Sequence, residues 1–231
     1  VSRLMPALLI LLIALVFYSA IEGKFIDGLK FMFLPNFDLI NWNTILIAMG
    51  QAFFSLSLGM GALLIYGSYI SSDTKLGSTT VIIASLDTLV ALLAGLAIFP
   101  IVLSSGLEMT QGPGLIFQTL TVAFAQMPGG QLFGTLFFIL LIFAAWTSAI
   151  SLVEPFITWL IEKYKITRIK ASIVAIFIAW LIGVGTVISF NIGKNFTIFD
   201  MTIFQFLDYL TTNLLLPLGG ILIAIFVGWF I

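Results

Sequence analysis

Six stretches of this chain are apolar enough to cross a bilayer, for which a helix needs about 20 predominantly hydrophobic residues. They run over Leu4–Ile21, Thr44–Ile70, Thr79–Leu103, Leu132–Leu160, Ala171–Ser189 and Phe204–Ile231. With 61% hydrophobic and 8% charged residues among 231, and a mean hydropathy of +1.23, the chain has more apolar surface than one water-facing core could bury. The fold class that follows is all-α: a polytopic transmembrane helix bundle, read as a single domain over residues 1–231. The chain has no histidine and no cysteine, which removes imidazole relays, thiol nucleophiles and the usual zinc or haem ligands. No nucleophile with its base can be assembled from the remaining residues, so an enzyme is not expected. A net charge of −1 offers no basic footprint for nucleic acid. The opening residue is not Met, and both ends read as if cut from a longer protein.

The second stretch is predicted to be interrupted. Gly50–Gly61 reads GQAFFSLSLGMG, with two serines, a glutamine and glycines inside an otherwise apolar run. In hydrocarbon every backbone N–H and C=O must find a partner, so unwound chain persists only where protein buries it or a polar cavity hydrates it. Transporters use that exception to bind a solute and its coupling ion near the midplane. A continuous helix whose glycines let a neighbour pack closely is the second reading of the same residues.

Loop charges predict the orientation. Arg3, Lys75, Lys163, Lys165, Arg168 and Lys170 fall on one side, and Lys24, Lys30 and Lys194 on the other. The first side is therefore cytoplasmic and the first helix runs outward. The outer loop 104–131 has Gly112-Pro113-Gly114, an apolar run Leu115–Ala125 and Pro128-Gly129-Gly130, which predicts a turn, a short helix and a second turn placed as a lid.

Several polar residues inside the apolar runs require a reason. Asp87 lies within IIASLDTLVALL, and a carboxylate at the bilayer centre costs about 2.5–3.5 kcal/mol on insertion scales, so it should face a cavity, a partner or a cation. Either it binds a cation or carries a proton, or it is a structural carboxylate bonded to nearby serines. Thr147, Ser148 and Ser151 cluster within about one turn of FAAWTSAISLVEP; their hydroxyls suit a hard cation, and they equally suit bonds back to carbonyls of their own helix. Glu154 precedes Pro155, a kink or a site, and Asp208 lies near the outer end of the last span.

GQAFFSLSLGMG followed by YGSYI, then FAAWTSAISLVEP, the GPG…MPGG loop and the closing FLDYLTTNLLLPLGG together resemble the bacterial sodium-coupled amino-acid members of the neurotransmitter:sodium symporter family, with its leucine-transporter-like fold. The resemblance covers essentially the whole chain. It implies that the six spans correspond to helices 5 to 10, the second part of a transporter built from inverted repeats, with helices 1 to 4 as missing partners. It implies sodium-coupled symport of an amino acid across the bacterial cytoplasmic membrane by alternating access, and Met60, a flexible thioether where some members have a bulky aromatic, argues for a neutral, hydrophobic one.

By the same resemblance, Phe54, Ser55, Ser57 and Met60, with Ser148 and Leu152, fall on substrate-binding positions, Phe54 being an aromatic lid. The Na⁺ ligands implied are Ser55 and Asp87 at one site and Ala144, Thr147 and Ser148 at another. Asp87 stands where many members have Asn, and its carboxylate would replace the anion that chloride-dependent members require, so no chloride is expected. Gln51 and Asp208 match outer-gate positions, and Glu162 matches the inner gate. A proton-coupled permease of the same fold, with Asp87 as carrier, and a non-transporting sensor or scaffold remain the alternatives.

Overall fold

The structure is a computed structural model and describes residues 4–71, 73–107 and 112–230. Arg3 of the orientation count and residues 108–111 of the outer loop lie outside them. The chain separates into two compact units, Val1–Asp38 with Lys75–Ser148, and Leu39–Thr74 with Ala149–Ile231.

The first unit contains α1 (Leu4–Glu22), α2 (Phe25–Phe33), α5 (Leu76–Ser104), α6 (Leu120–Gln126) and the first part of α7 (Gly130–Tyr164). Its core joins Leu12, Leu15 and Tyr18 of α1 to Ile101 and Val102 of α5 and to Leu120, Ala123 and Phe124 of the loop helix. That loop helix enters through a π-turn at Leu115–Thr119. Its Phe124 lies against Gly134 of α7, where an added Cβ would stand 3.3 Å from the ring. The Tyr18 hydroxyl donates to the Pro128 carbonyl at 3.0 Å, and its ring stacks on Phe133 at 3.9 Å.

Pro100 shapes the upper part of this unit. Proline has no N–H, so inside α5 it leaves the carbonyl of Leu96, four residues earlier, without its helical donor. Fully buried Ser19 of α1 supplies that donor, its hydroxyl reaching the Leu96 carbonyl at 2.8 Å. Just beyond, the amide of Lys24 donates to the Pro100 carbonyl at 3.1 Å. Ser19→Ala is therefore expected to lower stability by about 1–3 kcal/mol, the cost of an orphaned buried carbonyl, measurable as a fall in thermal unfolding temperature in detergent.

The second unit contains α3 (Trp42–Ser55), α4 (Ala62–Ser68), the remainder of α7, α8 (Arg168–Ile188), a short hairpin of β1 (Thr197–Ile198) and β2 (Met201–Thr202), α9 (Ile203–Asp208) and α10 (Leu216–Phe230). Asn41 caps α3, accepting from the Thr44 amide at 2.9 Å. Between α9 and α10 the helix widens to a π register over Tyr209–Leu215. Pro217 follows at once, and its ring and missing amide disfavour an ordinary α turn around Asn213.

Five helices among the described residues are long and apolar enough to cross a membrane: Met5–Glu22, Leu76–Ser104, Gly130–Tyr164, Arg168–Ile188 and Ile203–Trp229. The stretch 44–70 is two half-helices instead. The 14 residues of α3 and 7 of α4 extend about 21 and 10 Å at 1.5 Å per residue, so neither spans the roughly 30 Å hydrocarbon core alone.

Candidate functional site

The break between the half-helices is a built structure. After Leu56, Ser57 takes a left-handed φ of +56°, and two backbone bonds close the end of α3: Ser57 N–H to the Phe54 carbonyl at 3.1 Å and Leu58 N–H to the Phe53 carbonyl at 2.8 Å. This is the Schellman ending, whose left-handed position normally takes glycine. Gly59 and Gly61 then adopt φ of +78° and +80°, and α4 begins at Ala62. Among the described residues, the backbone bonds of the two half-helices do not take up the carbonyls of Leu56, Ser57, Leu58 and Met60, and carbonyls released in this way suit a cation or an ammonium group. The C-terminal end of α3 adds its negative dipole there.

Small residues of α10 support this break. A Cβ added at Gly219 would collide with the Gly59 carbonyl oxygen, one at Gly220 would collide with the Phe53 ring, and one at Gly50 of α3 would stand 2.7 Å from the Thr212 carbonyl oxygen. The Phe53 ring thus packs on a glycine that leaves it room. Of the predicted substrate residues, Phe54 is 49% exposed, Ser55 is exposed, and Ser57 and Met60 are half-buried.

The left-handed serine carries a test. An L-residue other than glycine held there costs roughly 1–2 kcal/mol. Ser57→Gly should therefore raise the unfolding temperature by the equivalent of about 1 kcal/mol, measured by thermal unfolding in detergent.

In the first unit, Ala144, Thr147 and Ser148 line a cavity of about 220 Å³ together with α1 from Met5 to Leu12, Val90 and Leu140. Its wall is apolar apart from the two hydroxyls. The Thr147 hydroxyl donates to the carbonyls of Phe143 and Ala144, at 3.1 and 3.0 Å. Bonding back to its own helix, one of the two readings of this hydroxyl, is what the structure shows, and it draws together the Thr147 and Ala144 oxygens that the resemblance pairs as ligands. Asp87 is half-buried one turn before Val90, on the same face of α5. No group of three His, Cys, Asp or Glu side chains that could hold a metal ion occurs among the described residues.

The sodium:neurotransmitter symporter family model matches residues 1–231. The chain belongs to this family. A sodium-dependent transporter of Haemophilus influenzae is 38% identical over 99% of this chain and 50% of its own length. The sodium-dependent transporter YhdH of Bacillus subtilis is 35% identical over 97% and 50%. Among solved structures, MhsT in complex with L-phenylalanine matches with a TM-score of 0.92 and 42% identity, over all of this chain and 53% of that one. The chain spans about half the length of the curated relatives it matches. Its helices and family make it part of a multi-pass membrane protein.

Within this symporter-family chain the remaining candidates occupy separate places. Gln51 is exposed on α3, Leu152 and Glu162 are exposed on α7, and Asp208 is exposed at the end of α9, its carboxylate accepting from the Thr212 hydroxyl at 3.3 Å. Glu154, read as a kink or a site, forms an ion pair with Arg168 at 2.8 Å. The two lie fourteen residues apart across a turn, a separation at which no sequence pattern signals a pair. Neither α2 nor the hairpin follows from the hydropathy pattern, and of the π register only Pro217 gives a sign.

Proposed function

We propose that the protein containing this chain couples inward Na⁺ movement to uptake of a neutral, hydrophobic amino acid by alternating access. The observation that carries this reading is the broken helix, with its left-handed Ser57 and its freed carbonyls, in a chain of the sodium:neurotransmitter symporter family. Phe54, Ser55, Ser57 and Met60 form the substrate wall at the break, and Ser148 and Leu152 contribute from α7. Ser55, Asp87, Ala144, Thr147 and Ser148 are the Na⁺ ligands this chain provides. Asp87 supplies fixed negative charge, making chloride unnecessary. Gln51 and Asp208 act at the outer gate and Glu162 at the inner one.

L-phenylalanine bound to MhsT supports a large apolar substrate, and the flexible thioether of Met60 suits such a side chain. For coupling, ion and substrate must favour the same conformation.

The test is uptake of radiolabelled L-phenylalanine by proteoliposomes holding the full-length protein. An inward Na⁺ gradient should drive accumulation, and Thr147→Ala should weaken Na⁺ activation by roughly tenfold, the equivalent of about 1.4 kcal/mol. Undiminished uptake in Na⁺-free buffer under a proton gradient would overturn sodium coupling in favour of a proton-coupled permease.

A further inference from the structure

We propose that the turn joining α7 to α8 binds the phosphate headgroup of an anionic lipid. Four of the chain's nine Lys and Arg residues, Lys163, Lys165, Arg168 and Lys170, fall within eight positions, and all four are exposed. Two carboxylates are close by in sequence or space. Glu154 is committed to Arg168, and Glu162 is exposed beside Lys163. Among the described residues, Lys165 and Lys170 have no carboxylate partner.

The surroundings place these cations at headgroup depth. Lys163 Nζ lies 4.9 Å from the Trp159 ring centre and 5.9 Å from that of Tyr164. Both rings are substantially exposed at the end of a membrane-length helix, as interfacial aromatics are. Lys165 turns the chain with a φ of +54°, its amide donating to the Ile161 carbonyl at 2.9 Å, so that α8 begins three residues beyond the turn.

The placement of Lys165 and Lys170 is unfavourable without an anion. Arg168 and Lys170 occupy the first turn of α8, where the helix dipole is positive and acidic residues are the favoured type. No acidic residue stands there, and Thr167 makes no side-chain cap. A phosphate at this turn converts repulsion among the cations, and between them and the dipole, into attraction. Clusters of basic residues next to a spanning helix attract anionic lipid at about 1 kcal/mol per charge.

Loop cations also set orientation, which requires their number on one side without requiring a binding site. Native mass spectrometry of the full-length protein in neutral detergent separates the two uses, with phosphatidylglycerol and phosphatidylcholine of identical chains titrated in turn. Phosphatidylglycerol should bind at least tenfold more tightly. The double variant Lys165→Gln/Lys170→Gln should lose roughly fivefold in that affinity per cation removed, and Lys24→Gln/Lys30→Gln should lose none. Equal affinity for the two lipids, or an unaltered double variant, would overturn the proposal. Displacement of the lipid by excess inorganic phosphate would also overturn it, because the site would then take the free anion.

Discussion

Replacing Asp87 with alanine is expected to abolish Na⁺-driven uptake. The carboxylate is half-buried in α5, inside an apolar span, where a cation is its natural counter-charge. At an effective dielectric near 20, opposite unit charges about 4 Å apart attract by about 4 kcal/mol. Even after desolvation is subtracted, losing that attraction should weaken Na⁺ affinity roughly a hundredfold or more. Asp87→Asn separates charge from oxygen. It keeps a carbonyl ligand and removes the fixed negative charge, so uptake should persist at high Na⁺ and become stimulated by chloride. The measurement is Na⁺ activation of uptake with chloride or gluconate as the anion. Full activity in Asp87→Ala would remove this residue from the ion site, and Asp87→Asn indifferent to chloride would show that its charge does not stand in for the anion.

The second large effect is expected at Gly219. Any side chain there meets the carbonyl oxygen of Gly59, and backbone cannot swing aside as a flexible side chain can. Gly219→Val should displace the break from α10, costing about 1–3 kcal/mol or more as overpacking does, and reduce amino-acid binding to background. Gly228→Ala is the control. It lies on the same helix with open space around its Cα, so alanine should be neutral or slightly stabilising. A normal uptake rate in Gly219→Val would show that the break does not depend on this contact.

The helix break at 50–61 is legible in the sequence because glycines weaken a helix and serines offer its backbone competing partners. Its detailed ending is not. The left-handed position is taken by Ser57, a residue type that does not mark such a turn, while Gly59 and Gly61 downstream do the further turning. The spans are legible from hydropathy, yet what ties them together is long-range. The bonds from Ser19 to Leu96 and from Tyr18 to Pro128 join residues far apart in sequence, and no periodicity reveals such a pairing. Thr147 shows a different limit. Its residue type suits a cation and suits its own backbone, and the geometry shows the second without discarding the first.

The bond between Ser19 and Leu96 has a mechanical consequence. A proline in a membrane helix is ordinarily a swivel, free to bend because a rung of the ladder is absent. Here the absent rung is rebuilt from another helix, and Lys24 clamps the carbonyl of the proline itself. The tip of α5 cannot tilt without pulling the end of α1, so the two helices share one lever arm, and Ser19→Ala should loosen their joint tilt as well as lower their stability.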